Sequence, residues 1–158
     1  MKKKPLKMNE YELTFEDDLE VQIFEMANLR TENTGLKNCI YISSKQHSSG
    51  PRLKVFKQGN CKGPSISVYI DSRTFRYKDS SNIIRTIDAY TLERVQALIS
   101  AYEDVLLLFW YDTDCIVDID FKRKLAEFIK NDTFSPIEIG SECVDKMKKI
   151  QQELEKRS

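Results

Sequence analysis

What the chain lacks narrows its class before any motif is considered. Its 158 residues include five glycines and four prolines, a composition in which disorder is expected at the ends alone. No segment approaches the roughly 20 consecutive apolar residues of a membrane-spanning helix. The start, MKKKPLKMNEYEL, has lysines with no apolar run behind them, so no secretory leader is expected. The formal net charge is zero, 25 basic groups against 25 acidic, which argues against a nucleic-acid protein with a wholly basic surface. There is a single histidine, and the four cysteines, Cys39, Cys61, Cys115 and Cys143, form no C-x-x-C pair, so the close ligand spacing of a zinc site is missing. Phosphate loops, dinucleotide fingerprints and nucleophile elbows are absent as well. Together these absences point to a cytoplasmic protein with four reduced thiols buried as small hydrophobes, without metal, cofactor or membrane association.

What is present reads as an ordinary globular chain, 41% hydrophobic and 32% charged, long enough to bury one core without staples. Its charge is unevenly spread. Residues 1–9 hold four lysines, residues 10–36 have net charge −7, residues 37–90 +7, residues 91–140 −5, and the remainder +1. Such alternation fits surfaces that complement each other within the fold or between subunits. The alternative is a basic face of the middle segment offered to an anionic partner.

The expected organisation is a flexible basic N-terminus over 1–9, one α+β domain over 10–140, and a C-terminal helix over 141–158. Tyr11, Leu13 and Phe15, then Leu19, Val21 and Ile23, alternate with polar residues on either side of the acidic turn Glu16–Asp18. That period of two predicts a hairpin over 10–24. A helix begun by Thr14, with Phe15, Leu19, Ile23 and Met26 on one face, is the rival. Residues 28–36 read as a loop in which Gly35 is free to take a positive φ. Strands are expected at Cys39–Ser43, Arg52–Lys57 and Ser65–Ile70, with a short edge segment near Phe75 and Tyr77. The result is an antiparallel meander of four to six strands.

The period changes at Leu92. Val95, Leu98, Ile99, Tyr102, Val105, Leu106 and Phe109 fall three and four apart and predict a long amphipathic helix with Thr91 as its cap. Its end, Val105–Tyr111, is apolar all round, so it is either enclosed by other elements or part of a subunit interface. A shorter helix through Lys130 follows, capped by Asp118 or Asp120, with Phe121, Leu125, Phe128 and Ile129 facing in. These two helices are expected to cover one face of the sheet. A last helix beginning near Ser141 carries a thin stripe, Val144, Met147, Ile150 and Leu154, suited to docking, self-pairing or projecting from the body.

Three constellations invite chemistry. Lys45, His47, Arg52 and Lys54 sit in and after the polar loop SSKQHSSGP. His47 titrates near neutrality and Arg52 is suited to clamping an oxyanion, so these four are the candidate anion- or partner-binding residues. A metal-independent ribonuclease using His47 with Arg52 and Lys54 is the enzymatic alternative. The acids Asp112, Asp114, Asp118 and Asp120 resemble a calcium loop only in density. Counted from Asp112, the sixth position is Val117 instead of Gly and the twelfth is Arg123 instead of Glu, and a solvated linker that caps the next helix is the simpler account. Finally Tyr41, Phe56, Tyr69, Phe75, Arg76 and Tyr77 interleave aromatic and basic groups as single-stranded RNA readers do, although aromatic residues on strands commonly cover flat faces.

Ala27–Leu29, Thr34–Leu36, Ile40–Lys45 and Gly50–Val55 resemble a group of small bacterial proteins that read roughly ANL…TGLP…IWIS.K…H.PRIKV, followed by a helix ending near a Trp. Phe109–Asp112 here resembles that helix end. The likeness covers about residues 19–130. The group has no established activity, so it implies no catalytic residue. This chain departs from it with Lys37 in place of Pro, Tyr41 in place of Trp, and two serines inserted between His47 and Gly50. The expectation is therefore a non-enzymatic binding or regulatory protein presenting a basic sheet face to a nucleic acid or a protein. Homodimerisation through helix 92–111 is a further alternative.

Overall fold

The computed structural model describes residues 28–44 and 50–157. The 10–24 segment, the N-terminal lysines, Lys45 and His47 lie outside the described residues. Among the described residues the sheet is a five-stranded antiparallel meander in the order β1 (Asn28–Leu29), β2 (Ile40–Ile42), β3 (Arg52–Phe56), β4 (Ser65–Tyr69) and β5 (Tyr77–Lys78). Alternation sets its register. Leu53 pairs with Ile42 on one side and Val68 on the other, and Val55 with Ile40 and Ile66, so all six aliphatic side chains point to the same face and are buried.

The stretch expected to be a loop, 28–36, instead supplies the edge strand β1 and a single helical turn, α1 (Thr31–Thr34). Leu29 is fully buried against Ile40, and that contact, invisible in local composition, gives the strand its place. Gly35 closes the turn with φ +76°, the left-handed conformation a side chain disfavours.

Three longer helices follow: α2 (Ala89–Tyr111), α3 (Phe121–Asn131) and α4 (Val144–Lys156). The seven positions read as the inner face of the long helix are all buried, in one cluster with the inner face of the sheet. At about 25 cal/mol per Å² of apolar area, each large side chain there contributes about 2–3 kcal/mol. Helix α2 begins earlier than its apolar pattern suggested. Thr91 is not the cap: it is wholly buried within the first turn, and the carbonyl of Asp88 accepts the Leu92 N–H at 3.2 Å. A buried amide fixes this start. Asn38 donates from Nδ2 to the Lys57 carbonyl (3.0 Å) and accepts the Asp88 N–H at Oδ1 (3.3 Å), joining sheet to helix.

At Tyr102 the backbone of α2 leaves helical geometry (φ −125°, ψ 23°). The Tyr102 hydroxyl donates to the Ser135 carbonyl at 2.8 Å and accepts its N–H at 3.0 Å, anchoring the loop after α3. The helix end Val105–Trp110 is buried throughout, Trp110 being 2% exposed. Of the two outcomes the sequence left open for this end, the fold shows enclosure by the chain itself, and only Tyr111 is left outward. Helix α4 packs along α2, with Met147 buried and Ile150 and Leu154 partly buried against the core.

The cysteines correct the expectation of four reduced thiols. They form two disulfides, Cys39–Cys61 with Cα atoms 5.0 Å apart and Cys115–Cys143 at 5.6 Å, both inside the range a disulfide spans. Wide spacing in sequence concealed the pairing. Cys61 sits in the turn after β3, antiparallel pairing carries that turn back beside the start of β2, and the isolated Ile116–Ile139 bridge brings the two ends of the 115–143 segment together.

Candidate functional site

The strands that bury aliphatic residues on one face carry cations and aromatics on the other, and the register arranges them in rows. Tyr41, Lys54, Ser67 and Lys78 lie opposite one another across β2 to β5. A second row runs from Arg52, opposite Tyr69, to Arg76, whose carbonyl accepts the Tyr69 N–H at 3.0 Å. Arg52 and Lys54 are two residues apart on one strand, so they share a face about 7 Å apart along it. No acidic residue occurs between Lys37 and Ile70.

The two arginines are held differently. The Arg52 guanidinium lies 5.2 Å from the centre of the Trp110 ring and donates to the Gly50 carbonyl at 3.1 Å. An aromatic face and a carbonyl thus hold it without neutralising it. The Arg76 guanidinium stands 4.8 Å over the Tyr69 ring, and its Nε is 3.8 Å from Asp71, too far for a hydrogen bond. Burial raises the Tyr41 hydroxyl above its ordinary pKa, keeping it a neutral donor beside Lys54.

Behind this face lies a group that sequence reading missed. Asp71, whose side chain is 3% exposed, accepts from Arg73 Nε at 3.2 Å, with Arg76 and Arg157 within 4 Å. The hydrogen bond from Arg73 holds its carboxyl below the usual range, against the opposing effect of burial. Glu103 on α2 accepts from the Ser72 N–H and hydroxyl, both at 2.8 Å, and from Arg157 at 3.1 Å. The β4–β5 turn, the long helix and the C-terminal helix end are thereby tied together. Asp71, the first acid after the acid-free stretch from 37 to 70, was the available signal in the sequence.

Of the four expected site residues, the fold places Arg52 and Lys54 side by side; Lys45 and His47 lie outside the described residues, so their relation to this pair is not part of the geometry. Three of the four acids in the run after α2 stand on cations: Asp112 pairs with Lys146, Asp118 with Lys124, and Asp120 with Arg123. Burial pushes Asp118 up, but the hydrogen bonds from Lys124 and the Asp120 N–H bring it below its ordinary value. The hydrogen bond from Arg123 lowers Asp120. Every resolved shift among the described residues moves a group further from neutrality, carboxyls down, Tyr102 up by burial, and Arg73 and Arg123 up by their carboxylate partners.

The chain matches no family model, no curated protein and no solved structure. Geometry and charge therefore carry the functional reading.

Proposed function

We propose that the protein is a non-enzymatic binding protein that presents the outward face of β3 to β5 to a polyanion, with single-stranded nucleic acid as the partner class that fits best. The observation that carries this reading is the two-row array. Arg52 and Lys54 on β3 stand across β4 from Arg76 and Lys78, with Tyr69 and Ser67 between them and Tyr41 beyond Lys54, and the strands carry no carboxylate. Cations at strand spacing meet successive phosphates, and tyrosine rings offer stacking surfaces that tolerate any base. The neutral total charge is compatible with this, because the acids lie on other segments and the local field governs encounter.

Fluorescence anisotropy with a labelled single-stranded RNA tests the reading. Four phosphate contacts give a fall in affinity of about fifty-fold between 50 and 200 mM salt. The double variant Lys54→Glu, Lys78→Glu is expected to lose binding by at least tenfold. Absence of salt-sensitive binding, or equal binding by the variant, would overturn it. The same mixtures examined for cleavage address the ribonuclease alternative: cleavage by the native chain that disappears in His47→Ala favours the enzyme.

The cytoplasmic location expected from the sequence now carries a condition. Disulfides persist in oxidising compartments and are rare in a mesophile cytosol, so a cytoplasmic chain would hold both pairs as thiols. Thiol alkylation of the protein in intact cells, followed by mass spectrometry, distinguishes the two. Among the described residues no helix is long and apolar enough to cross a membrane.

A further inference from the structure

At one end of the sheet a cavity of about 550 Å³ opens between the strand entries and the C-terminal helix. From the geometry we infer a second binding site in this cavity, for a small organic anion with an acyl or aromatic body. The walls have two characters. Pro51, Ile70, Leu107, Ile150 and Leu154 form an apolar lining, with Tyr69 and Tyr111 beside it, while Arg76, Lys149 and Arg157 are cationic.

The balance of charge is what selects an anion. Arg157 is already answered by Glu103 at 3.1 Å. The acid that lines the cavity, Glu153, pairs with Lys156 at 3.3 Å. Arg76 stands over the Tyr69 ring and comes no nearer a carboxylate than 3.8 Å, at Asp71, and Lys149 has no carboxylate partner among the described residues. Two cations therefore remain available at the rim of an apolar space, an arrangement matched by a ligand with one acidic group and a hydrophobic body. The volume falls within the usual range of small-molecule sites, about 300–1,000 Å³.

The cavity is also built to stay open. Helix α4 is fixed at its start by the Cys115–Cys143 disulfide and the Lys146–Asp112 ion pair. At its end Arg157 is held by Glu103, and the Arg157 carbonyl accepts from Arg73. These contacts hold both ends of the helix beside the cavity. Preorganised walls lower the ordering cost of binding.

The site shares Arg76 and Tyr69 with the sheet face but does not rest on the nucleic-acid reading, and the test uses residues that belong to one site alone. The probe is 8-anilinonaphthalene-1-sulfonate, an aromatic sulfonate that fluoresces in apolar surroundings. The native chain should bind it at one saturable site, decanoate should displace it, and sodium sulfate at equal concentration should not. Lys149→Glu is expected to weaken binding at least fivefold, and Leu154→Trp, which fills the space, to abolish it. Lys54→Glu with Lys78→Glu should leave probe binding unchanged. The proposal is overturned by any of four results: no saturable probe binding by the native chain, unchanged affinity in Lys149→Glu, displacement by sulfate as effective as by decanoate, or loss of probe binding in the sheet-face double variant. Lys149 is exposed, so its variant keeps the proposal falsifiable even where Leu154→Trp fails to fold.

Discussion

In the helical layer, the cations that stand on buried or helix-end groups are answered by acids from the same layer, Lys149 at the cavity rim being an exception. Arg94 reaches Asp132 and the carbonyls at the end of α3, Arg123 bridges Asp120 and Glu127, Lys124 sits on the buried Asp118, and Lys146 on Asp112. On the sheet, Lys54 and Lys78 have no carboxylate partner among the described residues, and Arg52 is held by an indole ring and a carbonyl. The two regions thus use similar residues for different ends. Helix cations satisfy carbonyls and neutralise acids that would otherwise repel one another. Sheet cations keep their charge for whatever approaches the face.

The largest effect bearing on this contrast concerns the staples that hold each region. Cys39–Cys61 closes a separation of 22 residues within the sheet, and Cys115–Cys143 one of 28 within the helical layer. Restricting the unfolded chain over such loops contributes about 3–4 kcal/mol each. Cys39→Ser with Cys61→Ser, and separately Cys115→Ser with Cys143→Ser, should each lower the urea midpoint by an amount reporting that loss. Equal midpoints for native and variant chains would show that the bonds do not form.

Next in size is Asp71, where the two regions meet. Asp71→Asn leaves the surrounding guanidiniums without their buried carboxylate and should cost about 1–3 kcal/mol, reduced from a fully buried pair because the arginines are half exposed. Its folded pKa is lowered, so the stability it contributes is fully present above the unfolded carboxyl value, about 3.9. That stability is lost as pH falls through the folded value. The difference in Tm between native and Asp71→Asn chains should therefore be constant from pH 7 to about pH 5 and narrow below about pH 4. A difference that widened on acidification would reverse the assignment.

The smallest effect is the sharpest test of the comparison. Lys124→Met strands the buried Asp118 and removes a donor to the Pro136 carbonyl, with an expected cost of about 1–2 kcal/mol. Lys54→Met removes a cation with no carboxylate partner among the described residues and should change stability by under about 0.5 kcal/mol. Thermal unfolding of the two variants side by side checks this, and equal losses would dissolve the distinction between structural and available charge.

The site was legible in part. Arg52 and Lys54 could be placed on one face from strand period alone, and Arg76 and Lys78 were readable as solvent-facing. Their assembly into two rows was not, because it depends on the register of β3 against β4 and of β4 against β5. The Asp71 group escaped because its partners come from residues 73, 76 and 157, a separation no local window spans. Lys149 and Leu154 looked like an ordinary helix surface and stripe until the packing of α4 left a cavity beneath them.

By itself the sequence determined what short-range physics controls: which residues alternate, which recur at helical spacing, where the meander gives way to helices, and which inner faces are apolar. The tertiary structure decided what depends on residues distant in the chain. It paired the cysteines, enclosed the apolar end of α2, turned 28–36 from loop into an edge strand and helical turn, and set which cations are neutralised. The reason is common to all four. Side-chain periodicity is written in neighbours a few residues apart, whereas pairing, enclosure and neutralisation depend on which distant elements the fold brings within a few ångströms.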